Sequence, residues 1–191
     1  NYDSLPPAKM GLYWGEKISL EGILNGVLIN SDNDAAQAVA EYIADKTKIP
    51  FSRLMNDKAK EIGMNSTKFT NSMGLDTYDN YSTAFDLALL ANYAMKNDFI
   101  SETVKIKSRK IASADGKTVH TLQTTNELLK DKDLDILGLK TGSTPLAGEC
   151  LMTVAQNEDG DQIITVVLGS YDRFGETKKL IQWVWKNIQW K

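Results

Sequence analysis

The sequence has one cysteine, one histidine and no long hydrophobic run. The single cysteine, Cys150, excludes an internal disulfide, and we expect a buried thiol in an apolar strand. No apolar stretch is long enough to span a bilayer. His120 has no cysteine or carboxylate cluster around it at ligand spacing, so we predict no metal site and no cofactor. We expect this histidine on the surface of a small hairpin.

The sequence also lacks a strong charge of either sign. Its net charge is −3 at pH 7 and it contains no basic run, which argues against nucleic acid as a partner. No signal peptide is visible at Asn1, although a processed chain would look the same. The 191 residues have the length of one domain, and we expect residues 1–191 to form a single domain with a sizeable core.

Helical periodicity dominates the first part of the chain, to about residue 97. Helices are predicted over residues 20–28 and 85–95, and two further helices between them are predicted to begin at Asn33 and at Pro50. Ser19 is expected to cap the first helix, and Thr83 and Asp86 have the spacing of a capping box at the last. Residues 65–81 are rich in Asn, Ser, Thr and Gly and predict a long ordered loop. The helix over residues 85–95 is apolar nearly all round, so we expect it to be buried.

The second part of the chain has the patterns of β-strands. We predict strands over residues 104–111, 117–122, 134–139, 150–155 and 162–168. The first two form a hairpin, and the last two form an antiparallel pair joined across residues 158–160. Residues 163–168 are almost continuously apolar, as in a central strand. These elements predict an α/β fold of the α+β type, with an antiparallel sheet flanked by helices and an all-helical region.

A last helix is predicted from about Gly175. Its spacing places four apolar residues on the side that faces the sheet: Leu180, Trp183, Val184 and Ile188. We interpret Trp185 and Trp190 as packing residues rather than as an exposed patch.

Two short motifs are the candidates for chemistry. Ser31-Asp32-Asn33 precedes a helix, and Lys140-Thr141-Gly142 ends a strand. Each is weak alone, since Ser and Asn at a helix start are ordinarily caps. In this order, each at the end of an element, they match two of the three motifs of an acyl-transfer site. The third, S-x-x-K, supplies the nucleophile and its lysine, and no lysine here has a serine three residues before it.

The chemistry of acyl transfer assigns roles to these residues. The reaction needs a nucleophile, a base, donors for the oxyanion and an acid for the leaving amine. Ser31, hydrogen-bonded to Lys140, can relay a proton to the departing amine. Asn33 can orient a substrate carbonyl through its amide NH₂. Lys140 also supplies positive charge near a carboxylate.

The residues around and after Lys140 are predicted to bind the substrate. The backbone N–H of Ser143 can point at the developing oxyanion, and the hydroxyls of Thr141 and Thr144 can bind a carboxylate terminus. Gly142 completes this predicted binding segment.

Longer segments carry further matches to one family. They are residues 22–36; Met55-Asn56, Ala59, Gly63-Met64 and Thr67-Lys68-Phe69; Gly74-Leu75-Asp76, Tyr81-Ser82-Thr83-Ala84 and Asp86; Asn126-Glu127-Leu128-Leu129; residues 138–144 with Ala147-Gly148; and residues 166–169. Together they cover nearly the whole chain. The sequence resembles the serine D-Ala-D-Ala carboxypeptidases, which are low-molecular-mass penicillin-binding proteins.

The resemblance implies a β-lactamase/transpeptidase-like fold and a peptidoglycan pentapeptide ending in D-Ala-D-Ala as substrate. β-Lactam antibiotics would acylate the full-length protein, which would lie outside the cytoplasm, with its signal and anchor not visible here. The family's S-x-x-K lies upstream of the serine motif, so it would fall before Asn1. We therefore expect an N-terminally truncated domain that is inactive as this fragment.

The absence of S-x-x-K is one departure from the family pattern. The family's first two of five strands would also lie before this chain, so residues 163–168 would lack a partner on one side. We expect this edge to be covered by the residues before Ser19, by a swapped segment or by a second chain, so that self-association through it is possible. A second departure lies beside Asn126. Many relatives carry an arginine just before Asn126, near the substrate carboxylate, and this sequence has Thr125 there.

Two other functions remain open. A class A β-lactamase shares both short motifs, but it should carry a Glu-x-x-x-Asn element between them. One such element, Glu21 to Asn25, precedes Ser31, whereas another, Glu61 to Asn65, lies between the two motifs, so the pattern alone leaves this alternative open. A non-catalytic domain that binds cell-wall peptide would also suit a chain without S-x-x-K. Truncation of a longer protein is the explanation we favour.

Overall fold

The computed structural model describes Tyr2 and residues 4–189. Its α-helices are α1 (Leu20–Asn25), α2 (Asn33–Thr47), α3 (Phe51–Glu61), α4 (Ala84–Ala94), α5 (Asp98–Thr103) and α6 (Arg173–Asn187). Its strands are β1 (Ser108–Ala112), β2 (Val119–Gln123), β3 (Asp135–Thr144), β4 (Gly148–Gln156) and β5 (Gln162–Ser170). A π-helical turn covers Gly26–Asn30, and a 3₁₀ turn covers Glu127–Lys130. No helix in this part of the chain is long and apolar enough to cross a membrane.

The strands form two antiparallel sheets, a hairpin of β1 with β2 and a three-stranded sheet in the order β3-β4-β5. The predicted α+β fold with an antiparallel sheet is confirmed. The first strand starts at Ser108 rather than at residue 104, because the end of α5 takes up the residues before it. The Asn97 side chain caps α5 by accepting from the Ile100 N–H, and at its other end the N–H groups of Val104 and Ile106 bond back to the carbonyls of Ile100 and Thr103.

Strand β3 does not end at Lys140, as the sequence led us to expect, but continues to Thr144. Lys140 pairs with Met152, and Gly142 pairs with Cys150 across the ladder to β4. The Lys-Thr-Gly motif is therefore held inside a paired strand, where the ladder fixes its backbone.

Residues 163–168 have the apolar pattern of a central strand, but the prediction that one side lacks a partner in this chain is confirmed for the described residues. β5 pairs with β4 on one side only, so it lies at the edge of the sheet. None of the described residues before Ser19 pairs with this edge. Instead, Met10, Gly11 and Leu12 donate their backbone N–H groups to the Asp34 carboxylate. Buried Met10 also packs in a core cluster with Leu122 of the hairpin.

Two helices bury different surfaces from those predicted. In α6, Thr177 and Ile181 are fully buried, whereas Leu180 and Trp183 are exposed, as is Ile188 directly after the helix. Phe174 and Trp185 pack beside Ile181, so the buried stripe is rotated by one residue and Trp185 is a packing residue as predicted. Trp190 lies outside the described residues.

Helix α4 is not buried all round. Only Asp86 and Ala91 are fully buried in it, and Phe85 is 71% exposed. The helix packs one face on β5 and β4 and leaves the other in solvent. Its Thr83 cap is present, since the Thr83 hydroxyl accepts from the Asp86 N–H.

His120 and Cys150 also differ from expectation. His120 is buried, and both of its ring nitrogens have partners: Nδ1 lies 2.9 Å from the Met10 carbonyl oxygen and Nε2 lies 2.6 Å from Glu16 Oε1. A hairpin position predicts exposure only when nothing packs on it, and the N-terminal segment packs on this one. Cys150 is a free thiol that is only half-buried.

Candidate active site

The serine motif follows an interrupted helix. The Ser19 hydroxyl caps α1 by accepting from the Gly22 N–H, as predicted. The helix then widens into the π-helical turn, and Ser31 ends it in a left-handed conformation with φ of 62°. Such a backbone is uncommon for a residue other than glycine, and strained positions of this kind cluster at functional sites. The turn projects Ser31 out of the helix axis before α2 begins at Asn33.

Ser31 contacts Lys140 although the two are 109 positions apart in the sequence. Lys140 Nζ donates to Ser31 Oγ at 2.6 Å and to the Thr141 carbonyl oxygen at 2.9 Å. The hydrogen bond expected from the two motifs is present. A hydroxyl that accepts from an ammonium can still donate its own proton, which is the arrangement that a proton relay needs.

The surroundings of Lys140 make its ammonium group easier to deprotonate than that of an exposed lysine. Burial, followed by the nearby charge of Arg173, lowers the pKa of Lys140 to about 8, while the charge of Asp32 opposes both. A lysine with a pKa near 8 can give up and take back a proton near neutral pH. The site therefore holds an amine that can act as a base or an acid.

Asn33 is turned toward the N-terminal segment. Its amide Nδ2 donates to the Pro7 carbonyl oxygen at 2.9 Å, and its backbone N–H donates to the Ala8 carbonyl oxygen at 2.8 Å. It makes no hydrogen bond to Ser31 or Lys140 in the described part of the chain. The structure thus joins Ser31 to Lys140 but engages Asn33 elsewhere.

The hydroxyls predicted to bind a carboxylate have protein partners. Thr141 Oγ1 lies 2.6 Å from Thr125 Oγ1, and Thr144 Oγ1 donates to Asp76 Oδ1 at 2.6 Å. Asp76 also accepts from the Leu146 N–H and so ties the loop over residues 65–81 to the β3–β4 turn. A carboxylate ligand at Thr144 would meet the Asp76 charge. Ser143 is exposed at the edge strand β3, and Gly142 offers its carbonyl at the same edge.

Arg173 also lies at this candidate site, although neither sequence motif contains it. Its Nη1 donates to the Gly142 carbonyl oxygen at 2.9 Å, and its guanidinium stacks on Phe174 at 4.8 Å from the ring centroid. It supplies a fixed positive charge beside the Lys-Thr-Gly motif. The only available signal was a basic residue directly after the last strand, at the start of α6.

Comparison with known proteins gives one family. The model of the D-alanyl-D-alanine carboxypeptidase family matches residues 6–172. The chain is 33% identical to the D-alanyl-D-alanine carboxypeptidase DacA of Haemophilus influenzae over 95% of its length. It is 37% identical to DacC of Escherichia coli over 88% of its length. A mutant of the Streptomyces K15 DD-transpeptidase superposes with a TM-score of 0.85 at 30% identity, covering 94% of this chain and 73% of that one.

The chain is shorter than these relatives. It spans 46% of the DacA protein and 41% of the DacC protein. The similarity to the solved structure identifies the fold as the DD-transpeptidase fold, as the sequence predicted.

Proposed function

Because the chain belongs to the D-alanyl-D-alanine carboxypeptidase family, we propose that its site serves acyl transfer from peptidoglycan peptides ending in D-Ala-D-Ala. The observation that carries this proposal is the 2.6 Å hydrogen bond from Lys140 to Ser31. This hydrogen bond connects the two motifs across the fold, and proton transfer from Lys140 through Ser31 to the substrate requires such a connection.

In this proposal, Ser31 and Lys140 move the proton that the leaving D-Ala amine needs. The amine leaves as a neutral group only when a proton reaches its nitrogen. Lys140, with its pKa lowered to about 8, passes a proton to Ser31, and Ser31 donates its own proton onward. Asn33 is proposed to orient the substrate carbonyl when that carbonyl replaces the Pro7 carbonyl as the acceptor of the Asn33 amide hydrogen bond.

We assign the terminal carboxylate of the substrate to Arg173 rather than to Thr144. Arg173 is cationic and lies at the Gly142 carbonyl, whereas Thr144 is paired with the Asp76 carboxylate. An arginine can bind a carboxylate with two parallel hydrogen bonds, which fits the absence of an arginine at Thr125. Ser143 is proposed to supply a backbone N–H for the oxyanion, and Thr141 and Gly142 line the same strand.

The 191-residue chain itself is proposed to be inactive. No serine in it has a lysine three residues later, so no side chain is placed to become the activated nucleophile. We expect no covalent adduct when the chain is incubated with a penicillin and its mass is measured. A stoichiometric penicilloyl adduct on this polypeptide would contradict the assignment of the site.

A second candidate function is recognition of cell-wall peptide without cleavage, and the same lack of S-x-x-K favours it. Titration with a soluble pentapeptide ending in D-Ala-D-Ala, followed by backbone amide NMR, tests the binding step that both functions share. We expect shifts at residues 31–33 and 140–144, which the same peptide with an amidated C-terminus does not produce. Equal shifts with both peptides would rule out recognition of the carboxylate.

The proposed location follows from the proposed substrate. Peptidoglycan lies outside the cytoplasmic membrane, so we place this site on the extracytoplasmic side, with β-lactams as ligands of the full-length protein.

A further inference from the structure

Asp32 lies between the two predicted site residues of the serine motif and was not itself assigned a role. Its side chain is 1% exposed. Its Oδ1 accepts from Asn30 Nδ2 at 2.5 Å, and Asn30 Oδ1 in turn accepts from the Gln123 N–H at 3.3 Å. This connection ties the end of the π-helical turn to the hairpin. It braces the left-handed backbone of Ser31, which stands between Asn30 and Asp32.

The second carboxylate oxygen of Asp32 has no hydrogen-bond partner among the described protein atoms. A Cβ added to Gly26 would lie 3.0 Å from this oxygen, so the glycine leaves it the room that it occupies. A buried carboxylate oxygen without a donor is costly, and only a nearby positive charge can offset that cost.

Lys140 is placed next to Asp32 in the fold, since its Nζ donates at 2.6 Å to the hydroxyl of Ser31, the residue directly before Asp32. Burial is the largest effect and raises the pKa of Asp32 to about 6, and the negative charge of Asp34 in α2 acts in the same direction. The hydrogen bond from Asn30 and the charges of His120 in β2 and Lys140 in β3 act to lower this pKa. The π-helical turn that packs beside it contributes no titratable side chain. Asp32 is therefore ionised above pH 6, and its charge favours the ammonium form of Lys140 against burial and against Arg173.

We propose that Asp32 is a positioning residue for Lys140. Its buried carboxylate holds the Ser31 backbone in place through Asn30 and, by its charge, keeps Lys140 protonated as the donor to Ser31. The consequence for catalysis rests on the proposed function, but the coupling between Asp32 and Lys140 is a property of the folded chain and is measurable without substrate.

The test is the titration of Lys140 in the Asp32→Asn variant, followed by NMR of the lysine ¹³Cε resonances. Asparagine keeps the shape and the acceptor for Asn30 but removes the charge. We expect the midpoint of Lys140 to fall by roughly 0.5 to 1 pH unit. The control is Asp86→Asn. It removes another buried carboxylate, in the first turn of α4, that accepts hydrogen bonds from Ser66 and Thr67. An unchanged Lys140 midpoint in folded Asp32→Asn, or an equal fall in Asp86→Asn, would overturn the proposal.

The unmodified protein offers a second measurement that needs no variant to fold. The Lys140 ¹³Cε shift should show a small additional inflection at about pH 6, where Asp32 titrates. A single inflection would also refute the coupling. Failure of the pentapeptide to bind, with the coupling intact, would instead count against the proposed function alone.

Discussion

Replacing Lys140 by methionine should stabilise the protein at neutral pH while removing the proposed proton relay. The pKa of Lys140 falls from 10.5 in the unfolded chain to about 8 in the folded protein, mainly through burial. A shift of that size corresponds to a cost of about 3 kcal/mol for holding the charged side chain in place. This is an upper bound, because the side chain keeps some access to water that screens its charge.

Methionine fills the same space without that cost, but it loses the bonds to Ser31 and Thr141. Each lost hydrogen bond costs about 1 kcal/mol. The net gain of Lys140→Met at pH 7 is therefore about 1 kcal/mol, or a rise in Tm of about 2 to 4 °C for a chain of this length.

The pH dependence of this gain is the sharper result. Below pH 8 the lysine is charged in both the folded and the unfolded states, so the full cost is present. Between pH 8 and 10.5 the folded protein releases the proton first, so the stability of the unmodified protein rises and the gain from Lys140→Met disappears. Thermal or denaturant unfolding of both proteins at pH 7 and pH 10 measures the difference.

Lys178→Met is the matched control. Lys178 bonds to Asp131 and Asp133, and these hydrogen bonds raise the pKa of Lys178. Its contribution is stabilising below its unfolded pKa and is lost at higher pH, which is the opposite trend to that of Lys140. A gain from Lys140→Met that stays constant or grows with pH would refute the reasoning.

Two further predictions concern the framework of the site. Asp34→Ala removes the acceptor of three backbone N–H groups, those of Met10, Gly11 and Leu12. We expect the free energy of unfolding to fall by about 2 to 4 kcal/mol and the amides of residues 10–12 to exchange faster, and unchanged exchange there would contradict this. The open edge of β5 should let the chain self-associate, and Leu168→Lys, at a residue that is 42% exposed, should reduce the association seen by sedimentation; a strictly monomeric unmodified chain would refute that prediction.

Local features of the fold were predictable because they depend on neighbours in the sequence. The caps at Ser19 and Thr83 need only a hydroxyl and an N–H three residues on, and the structure has both. The hairpin between β4 and β5 follows from two apolar runs and a short turn. The short α5 was not predicted, because its Asn97 cap begins only six helical residues.

The faces of the helices were less predictable. In α6, the apolar residues are spread so widely that two faces one residue apart fit the pattern, and packing against the sheet selected the one with Ile181. Helix α4 is apolar all round in sequence, yet only one side of it meets the sheet in the described chain.

The sequence by itself determined the family, the antiparallel sheet and the pairing of Ser31 with Lys140, because short motifs and residue periodicity encode them. Only the tertiary structure decided which partners the polar side chains take. The burial of His120 against Glu16, the pairing of Thr144 with Asp76 and the approach of Arg173 to Gly142 each join residues that are 31 to 104 positions apart. Such contacts depend on how whole elements pack, since a hydrogen bond forms only where two distant groups arrive within about 3 Å of each other.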